Sequence, residues 1–256
     1  LQELQRVLVA FSGGADSAFL AWVANDTLGS EAVRCFTAVS PSLAESELED
    51  CASLAQEWGL NWSPVETTEM DNAAYRVNDS DRCYHCKSAL MDVVEPVADE
   101  HELIVVLGVN TDDLGDHRPG QSAAQERNAR FPLVEAGFTK NAIRSTSQEL
   151  GLRTWDKPAA PCLSSRLPYG TPVTLSRLSA VEKAEKSLKN LGFSDLRVRH
   201  YEKTARLEVP VSEIEKVLLY RQEIVKAVQS AGYLYVTLDL EGLRSGNLNQ
   251  ELQEYD

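Results

Sequence analysis

Short apolar runs, separated by polar turns that carry glycine, set the rhythm of the first half of the chain. Val7-Leu8-Val9-Ala10-Phe11, Val33 to Val39, Asn61 to Thr67 and Leu103 to Leu107 read as strands. A helix follows the first of them through Ala18 to Ala24. Ser42, with Glu45 three residues on, forms a capping box for a second helix that runs to about Trp58 and stops at Gly59. A third leaves Cys83-Tyr84-His85-Cys86-Lys87 and continues to about Val94 or beyond, and Thr139 to Leu150 makes a fourth, closed by Gly151. Strands alternating with helices predict an α/β fold on a doubly wound parallel sheet, in which a ligand lies outside the carboxyl ends of the strands.

The rhythm breaks between Lys157 and Pro172, where four prolines in sixteen residues exclude a regular helix. The domain boundary is placed near residue 170, giving a first domain over 1–170 and a smaller C-terminal α+β domain over 171–256, assigned to substrate binding and self-association. That second part reads as α-β-β-α-β. A helix spans about Leu175 to Leu191, with Glu182-Lys186 and Glu185-Lys189 at i,i+4 spacing and Gly192 as its stop. Leu196 to Tyr201 and Ala205 to Val209 alternate as paired strands do. Ser212 with Glu215 forms a second capping box, ahead of one helix whose buried stripe is Ile214, Val217, Leu218, Ile224, Val225 and Val228. Tyr233 to Leu240 is the last strand.

Composition narrows the partners. The chain has 256 residues, enough to bury a full core, and no apolar run nears the ~18 residues that span a bilayer. No membrane partner is expected, and the cytoplasm is the expected location. Against 25 basic residues stand 39 acidic ones, a net charge of −14 that repels a polyphosphate. A small molecule is therefore the expected substrate, and nucleic acid is not. Five cysteines, an odd number, argue against a disulfide framework and towards metal or sulfur chemistry. Cys35 in a strand and Cys51 in a helix read as packed side chains.

Candidate chemistry begins at Ser12-Gly13-Gly14-Ala15-Asp16-Ser17, between the first strand and the first helix. Two adjacent glycines let the backbone approach a ligand, and the amides that open the helix present donors to phosphate oxygens. The loop has no lysine, so it is not the G-x-x-x-x-G-K-[ST] triphosphate loop. It resembles the S-G-G-x-D-S signature of the PP-loop ATP pyrophosphatases, which implies cleavage of ATP between the α and β phosphates. At the carboxyl end of the fourth strand, Asp112, Asp113 and Asp116 are placed to hold Mg²⁺ against the nucleotide, or else form a solvated turn. Cys83 and Cys86 form C-x-x-C, whose sulfurs share one face. Three readings are open: a redox dithiol, zinc closed by His85, or two ligands of a [4Fe–4S] cluster with Cys162 as the third, leaving one iron open to a sulfide. Arg197 and Arg199, two apart on a strand, point the same way and suit a phosphate, or else line a solvated sheet face.

Taken jointly, S-G-G-A-D-S, the G-V-N-T-D-D-L-G-D-H-R-P-G from Gly108, P-C-L-S-S-R from Pro161, the R-V-R of Arg197 to Arg199 and the L-D-L-E-G-L-R-S-G near the end resemble the LarE family. These are ATP-dependent sulfur transferases that make a nickel-pincer nucleotide cofactor. The resemblance implies that ATP adenylates a carboxylate of pyridinium-3,5-biscarboxylic acid mononucleotide and that a sulfur nucleophile displaces AMP. It implies ATP contacts at Ser12, Gly13, Gly14, Asp16 and Ser17, substrate phosphate at Ser165, Arg197 and Arg199, Arg166 near the reacting groups and Glu185 assisting. In single-cysteine members the residue matching Cys162 gives up its own sulfur. Cys83 and Cys86 instead resemble the three-cysteine members, whose cluster carries sulfur from a donor the sequence does not name. A tRNA thiolase and an amide-forming PP-loop synthetase are the competing readings. The first conflicts with the acidic charge, and the second makes Cys83 and Cys86 incidental.

Overall fold

A computed structural model describes residues 1–115, 119–244 and 247. Along the first half run β1 (Val7–Ala10), α1 (Ala15–Leu28), β2 (Val33–Val39), α2 (Glu45–Trp58), β3 (Trp62–Glu66), α3 (Ala73–Val77), α4 (Arg82–Glu100) and β4 (Ile104–Leu107). Next come α5 (Pro119–Glu126), α6 (Pro132–Glu135), α7 (Lys140–Glu149) and α8 (Leu175–Asn190). The chain then forms β5 (Arg197–Tyr201), β6 (Thr204–Glu208), α9 (Ile214–Leu219), α10 (Arg221–Ser230) and β7 (Tyr235–Leu238). Two compact units emerge: Leu1–Asn72 with Asp81–Ala160, and Ala73–Ser80 with the chain from Pro161.

In the first unit the sheet is all parallel, in the order β3-β2-β1-β4. β1, β2 and β4 are mostly buried, as the inner part of a parallel sheet requires, while the edge strand β3 is largely exposed. Val7, Val9, Cys35 and Val106 enter one core with Phe19, Leu20, Leu54 and Ile143, while Leu8, Phe36, Val105 and Leu107 enter the other with Leu90, Met91 and Val94. The chain passes from β1 to β2 on one side and reaches β4 on the other, so the order of strand addition reverses between β1 and β4. Loops leaving those two strands are where such folds bind ligands. The predicted capping box on α2 is not made. Ser42 Oγ lies 2.9 Å from Ser40 Oγ and 3.2 Å from Glu69 Oε1, and α2 starts after Ala44 with no side-chain cap. Gly59 does stop it, at φ 62°.

The second unit sets α8 and α10 against a three-stranded sheet, with β5 antiparallel to β6 and β6 parallel to β7. Its core joins Ala184, Leu188, Phe193, Val198, Leu207, Ile224 and Val228. The single helix read after Ser212 is two, α9 and α10, divided at Tyr220. The break turns the stripe, so Val217, Ile224 and Val228 are buried while Leu218 and Val225 are exposed. Ser212 lies in a 3-10 turn, Val211–Glu213, and no side-chain bond caps α9. The proline-rich stretch from Pro161 belongs to this unit, earlier than the boundary read near 170. Its partner is α3 and the residues after it. Tyr75 Oη lies 2.7 Å from Ser164 Oγ, Asn78 Nδ2 donates to the carbonyls of Pro168 (2.8 Å) and Thr171 (2.9 Å), and the Val173 amide donates to Arg76 O at 2.8 Å.

His200 on β5 is buried, with Nδ1 3.1 Å from Tyr233 Oη. Burial, then the nearby Arg177, holds its pKa below that of an ordinary histidine. Below about pH 6.5 the unfolded chain takes up a proton that the folded unit refuses, so acid lowers stability. Urea midpoints at about pH 7.5 and about pH 5.5 should differ more in the wild type than in His200→Gln. An identical drop in both would remove His200 from the account.

Candidate active site

The Ser12–Ser17 loop is shaped by its own polar groups. Gly13 adopts φ 68°, a left-handed conformation that favours glycine. Ser17 Oγ accepts from the Ser12 amide (3.2 Å), lies 3.0 Å from Ser12 Oγ and donates to Gly14 O at 3.1 Å. These bonds fold the loop over the start of α1, whose first turn carries Asp16. Gly108, immediately after β4, lies against the same turn: a Cβ there would stand 2.7 Å from the Ser17 amide nitrogen. Glycine at 108 lets the end of β4 abut the phosphate loop.

Cations reach this loop from far along the chain. Lys140 Nζ donates to Asp16 Oδ2 at 2.8 Å, and Lys157 Nζ donates to Gly13 O at 3.1 Å. Neither lysine is marked in the sequence, since no motif spacing joins it to the loop. Thr139 capping α7, through the Ala142 amide, was the one local cue to Lys140. Asp16 Oδ1 is buried without a hydrogen-bond partner among the described residues. Asp112 accepts from the Lys140 amide at 2.8 Å and Asp113 from the Asn110 amide at 3.2 Å, so both aspartates shape the turn after β4. Asp116 lies outside the described residues.

Cys83 and Cys86 lie at the start of α4, as the spacing predicts, neither in a disulfide, one exposed and one half-buried. Lys87 is beside them. Burial lowers its pKa below the ordinary lysine value, while the Cys86 and Cys83 sulfurs pull the other way. His85 Nε2 lies 3.1 Å from Asp81 Oδ2. Cys35 and Cys51 are packed, and burial pushes their thiols up to about 12 and about 11. Among the described residues no group of three or more His, Cys, Asp or Glu side chains stands ready to hold a metal ion.

In the second unit Cys162, free and half-buried, precedes a 3-10 turn, Leu163–Arg166. Its carbonyl accepts from the Ser165 amide (2.9 Å) and the Ser165 hydroxyl (2.7 Å). Arg166 clasps this turn. Its Nη1 donates to Pro161 O (2.5 Å) and Ser165 Oγ (3.1 Å), and its Nε and Nη2 donate to the two oxygens of Glu185 at 2.9 and 3.0 Å. Glu185 Oε1 also accepts from the Val198 amide at 2.9 Å, so this carboxylate is a buried strut rather than the surface partner of Lys189 that its spacing suggested. Arg199, also buried, donates to Ser165 O (2.7 Å) and Glu208 Oε2 (2.8 Å), and its Nε has no partner among the described residues. Arg197 Nη1 donates to Arg244 O at 3.1 Å, and no carboxylate pairs with it among the described residues. Burial, then the guanidiniums of Arg199 and Arg166, lowers the Arg197 pKa.

Known proteins can be set beside this arrangement. Residues 2–91 match the NAD synthase family, a stretch that contains the phosphate loop, Cys83 and Cys86. Over 98% of its length the chain is 49% identical to 94% of an uncharacterized protein of Synechocystis sp.. Over the same share it is 39% identical to 92% of the pyridinium-3,5-bisthiocarboxylic acid mononucleotide synthase of Lactiplantibacillus plantarum. The chain belongs to the LarE family. A more distant relative is an uncharacterized protein of Methanocaldococcus jannaschii, 26% identical over 94% of this chain. With the family shown, the first unit is a PP-loop domain and the chain is related to a sulfur-inserting enzyme along almost its whole length. No described helix is long and apolar enough to cross a membrane.

Proposed function

We propose that this protein uses ATP to adenylate a carboxylate of pyridinium-3,5-biscarboxylic acid mononucleotide and exchanges the adenylate for sulfur. The whole-length likeness to the Lactiplantibacillus plantarum synthase carries this reading. A carboxylate oxygen attacks the α phosphorus of ATP and pyrophosphate leaves; a sulfide then attacks the acyl carbon, AMP leaves, and a thiocarboxylate remains. Loop amides at Gly13 and Gly14 and the start of α1 receive the phosphates. Asp16, whose Oδ1 is buried without a hydrogen-bond partner among the described residues, suits a contact to Mg²⁺, while Asp112 and Asp113 are engaged by the Lys140 and Asn110 amides. The substrate phosphate goes to Arg197 and Arg199: among the described residues one guanidinium lacks a carboxylate partner and the other keeps a buried unpaired N–H, so an anion relieves both. Arg166 and Glu185 hold the turn after Cys162 in place.

The donor set fits a [4Fe–4S] cluster in its chemistry, because Cys83, Cys86 and Cys162 are thiols outside any disulfide and none is fully buried. Bound there, the cluster would supply an open iron to carry the sulfide.

Protein purified without oxygen should contain iron and sulfide and absorb broadly near ~400 nm, and Cys83→Ser and Cys86→Ser should lose all three. Zinc at one per chain overturns the cluster. With MgATP, the mononucleotide and sulfide, AMP and pyrophosphate should form together with a product in which sulfur replaces oxygen. ADP as product overturns adenylation. The NAD synthase likeness favours the amide-forming alternative over residues 2–91, and an amide formed from ammonia by the Cys83→Ser protein would select it.

A further inference from the structure

Lys157 makes three polar contacts, and they join two parts of the first unit that are remote in sequence. Its ammonium donates to Asp50 Oδ2 (2.6 Å) and Glu47 Oε2 (3.0 Å) on α2, and to Gly13 O (3.1 Å) in the phosphate loop. An ammonium has three protons, and all three are used. Its side chain is only 17% exposed. The backbone is held as well, since Arg144 on α7 donates to Lys157 O at 2.9 Å and to Trp155 O at 3.0 Å. Two carboxylates balance the charge. Burial opposes the ammonium, but the bonds to Asp50 and Glu47 outweigh it and raise the Lys157 pKa.

We infer that Lys157 is a positioning residue for ATP, fixing the Gly13–Gly14 peptide so that the loop amides already face the triphosphate when it arrives. The inference rests on the ATP reading above and adds a residue to it. In a planar trans peptide the carbonyl and the next N–H point in opposite directions. Gly13 O held on Lys157 therefore turns the Gly14 N–H away from α2, towards the open side of the loop. Glycine at φ 68° has little intrinsic preference for one peptide orientation, so the anchor has to come from outside. On the α2 side the loop is also closed, because a Cβ at residue 13 would lie 2.8 Å from the buried Cys51 Sγ. The role differs from that of the lysine in a G-x-x-x-x-G-K-[ST] loop, which meets phosphate directly. Lys157, neutralised by Glu47 and Asp50, acts through the backbone. A purely structural ion pair of this burial is replaceable by apolar side chains at little net cost, whereas a peptide orientation is not.

Arg153 is the internal control. It donates to Asp50 Oδ1 at 2.7 Å and Glu57 Oε2 at 2.9 Å, so it shares Asp50 with Lys157 without reaching the loop. Calorimetric titration of the full chain with MgATP should show Lys157→Met raising Kd by about tenfold or more, Lys157→Arg recovering part of the loss, and Arg153→Met matching wild type within about twofold. Thermal melts of the three variants should not follow that order. Wild-type affinity in Lys157→Met overturns the inference. So does equal weakening in Lys157→Met and Arg153→Met, which makes the role structural. Should Lys157→Met not fold, Glu47→Gln loosens the ammonium without removing it, and an unchanged Kd there overturns the inference too. Failure of the wild type to bind MgATP overturns the ATP reading itself.

Discussion

Replacing Arg166 with methionine is expected to destabilise the second unit by about 3–5 kcal/mol, the range for removing one partner of a buried ion pair. The two side chains are 8% and 7% exposed and meet through a two-pronged contact. Without Arg166, Glu185 keeps only the Val198 amide as a described donor, and its charge stays buried among Leu188, Val198 and their neighbours. Methionine fills the space of the alkyl stem but donates nothing to Pro161 O or Ser165 Oγ. Urea unfolding monitored by tryptophan fluorescence reads the loss through the midpoint. Combining it with Glu185→Met should restore much of the stability, because no buried charge is then left alone. A loss below about 1 kcal/mol in the single variant would mean that water reaches Glu185 and the pair is no strut.

Gly108→Ala comes second. The added methyl would meet backbone atoms, Ser17 N at 2.7 Å, Ser17 Cα at 2.8 Å and the Asp16 carbonyl carbon at 2.9 Å, none of which can rotate away. Either β4 or the first turn of α1 must shift, at a cost of about 1–3 kcal/mol. The larger consequence is catalytic. A displacement near 1 Å of positioning groups lowers turnover by about a hundredfold. Pyrophosphate release at saturating ATP should fall by that order while the circular dichroism stays native. Wild-type turnover with only a lowered melting temperature would refute the link between Gly108 and the loop.

Much of the fold was legible because the decisive signals are local. β1, β2 and β4 are apolar runs bounded by polar turns, and Gly59 and Gly151 end helices by a backbone property that a sequence displays. Cys83 and Cys86 were placed by their spacing alone. What escaped was decided by competition between distant partners. The S-x-x-E patterns at Ser42 and Ser212 satisfy a capping rule, yet the Ser42 hydroxyl finds Glu69, 27 residues away. Glu185 sits four residues before Lys189, yet the pairing that fixes its place is to Arg166 on another element. Lys157 was read only as the start of a proline-rich stretch, because its bond to Gly13 spans 144 residues. Helix phase is equally fragile: one interruption at Tyr220 moved Leu218 and Val225 from the expected core to solvent.

The assignment of Ala73–Ser80 to the second unit bears on the order of events during synthesis. Those residues leave the ribosome inside the first unit's sequence, yet Tyr75 and Asn78 bond to Ser164, Pro168 and Thr171, some 90 residues later. Domains that fold as they emerge begin with the N-terminal part. Here the second unit stays incomplete until translation has passed Thr171, and the segment made first must wait about 90 residues for its partners. A single cut between the units does not yield two foldable pieces, and a gene fusion or truncation designed at residue 160 would leave Tyr75 without its hydroxyl partner and Asn78 without the carbonyls it serves.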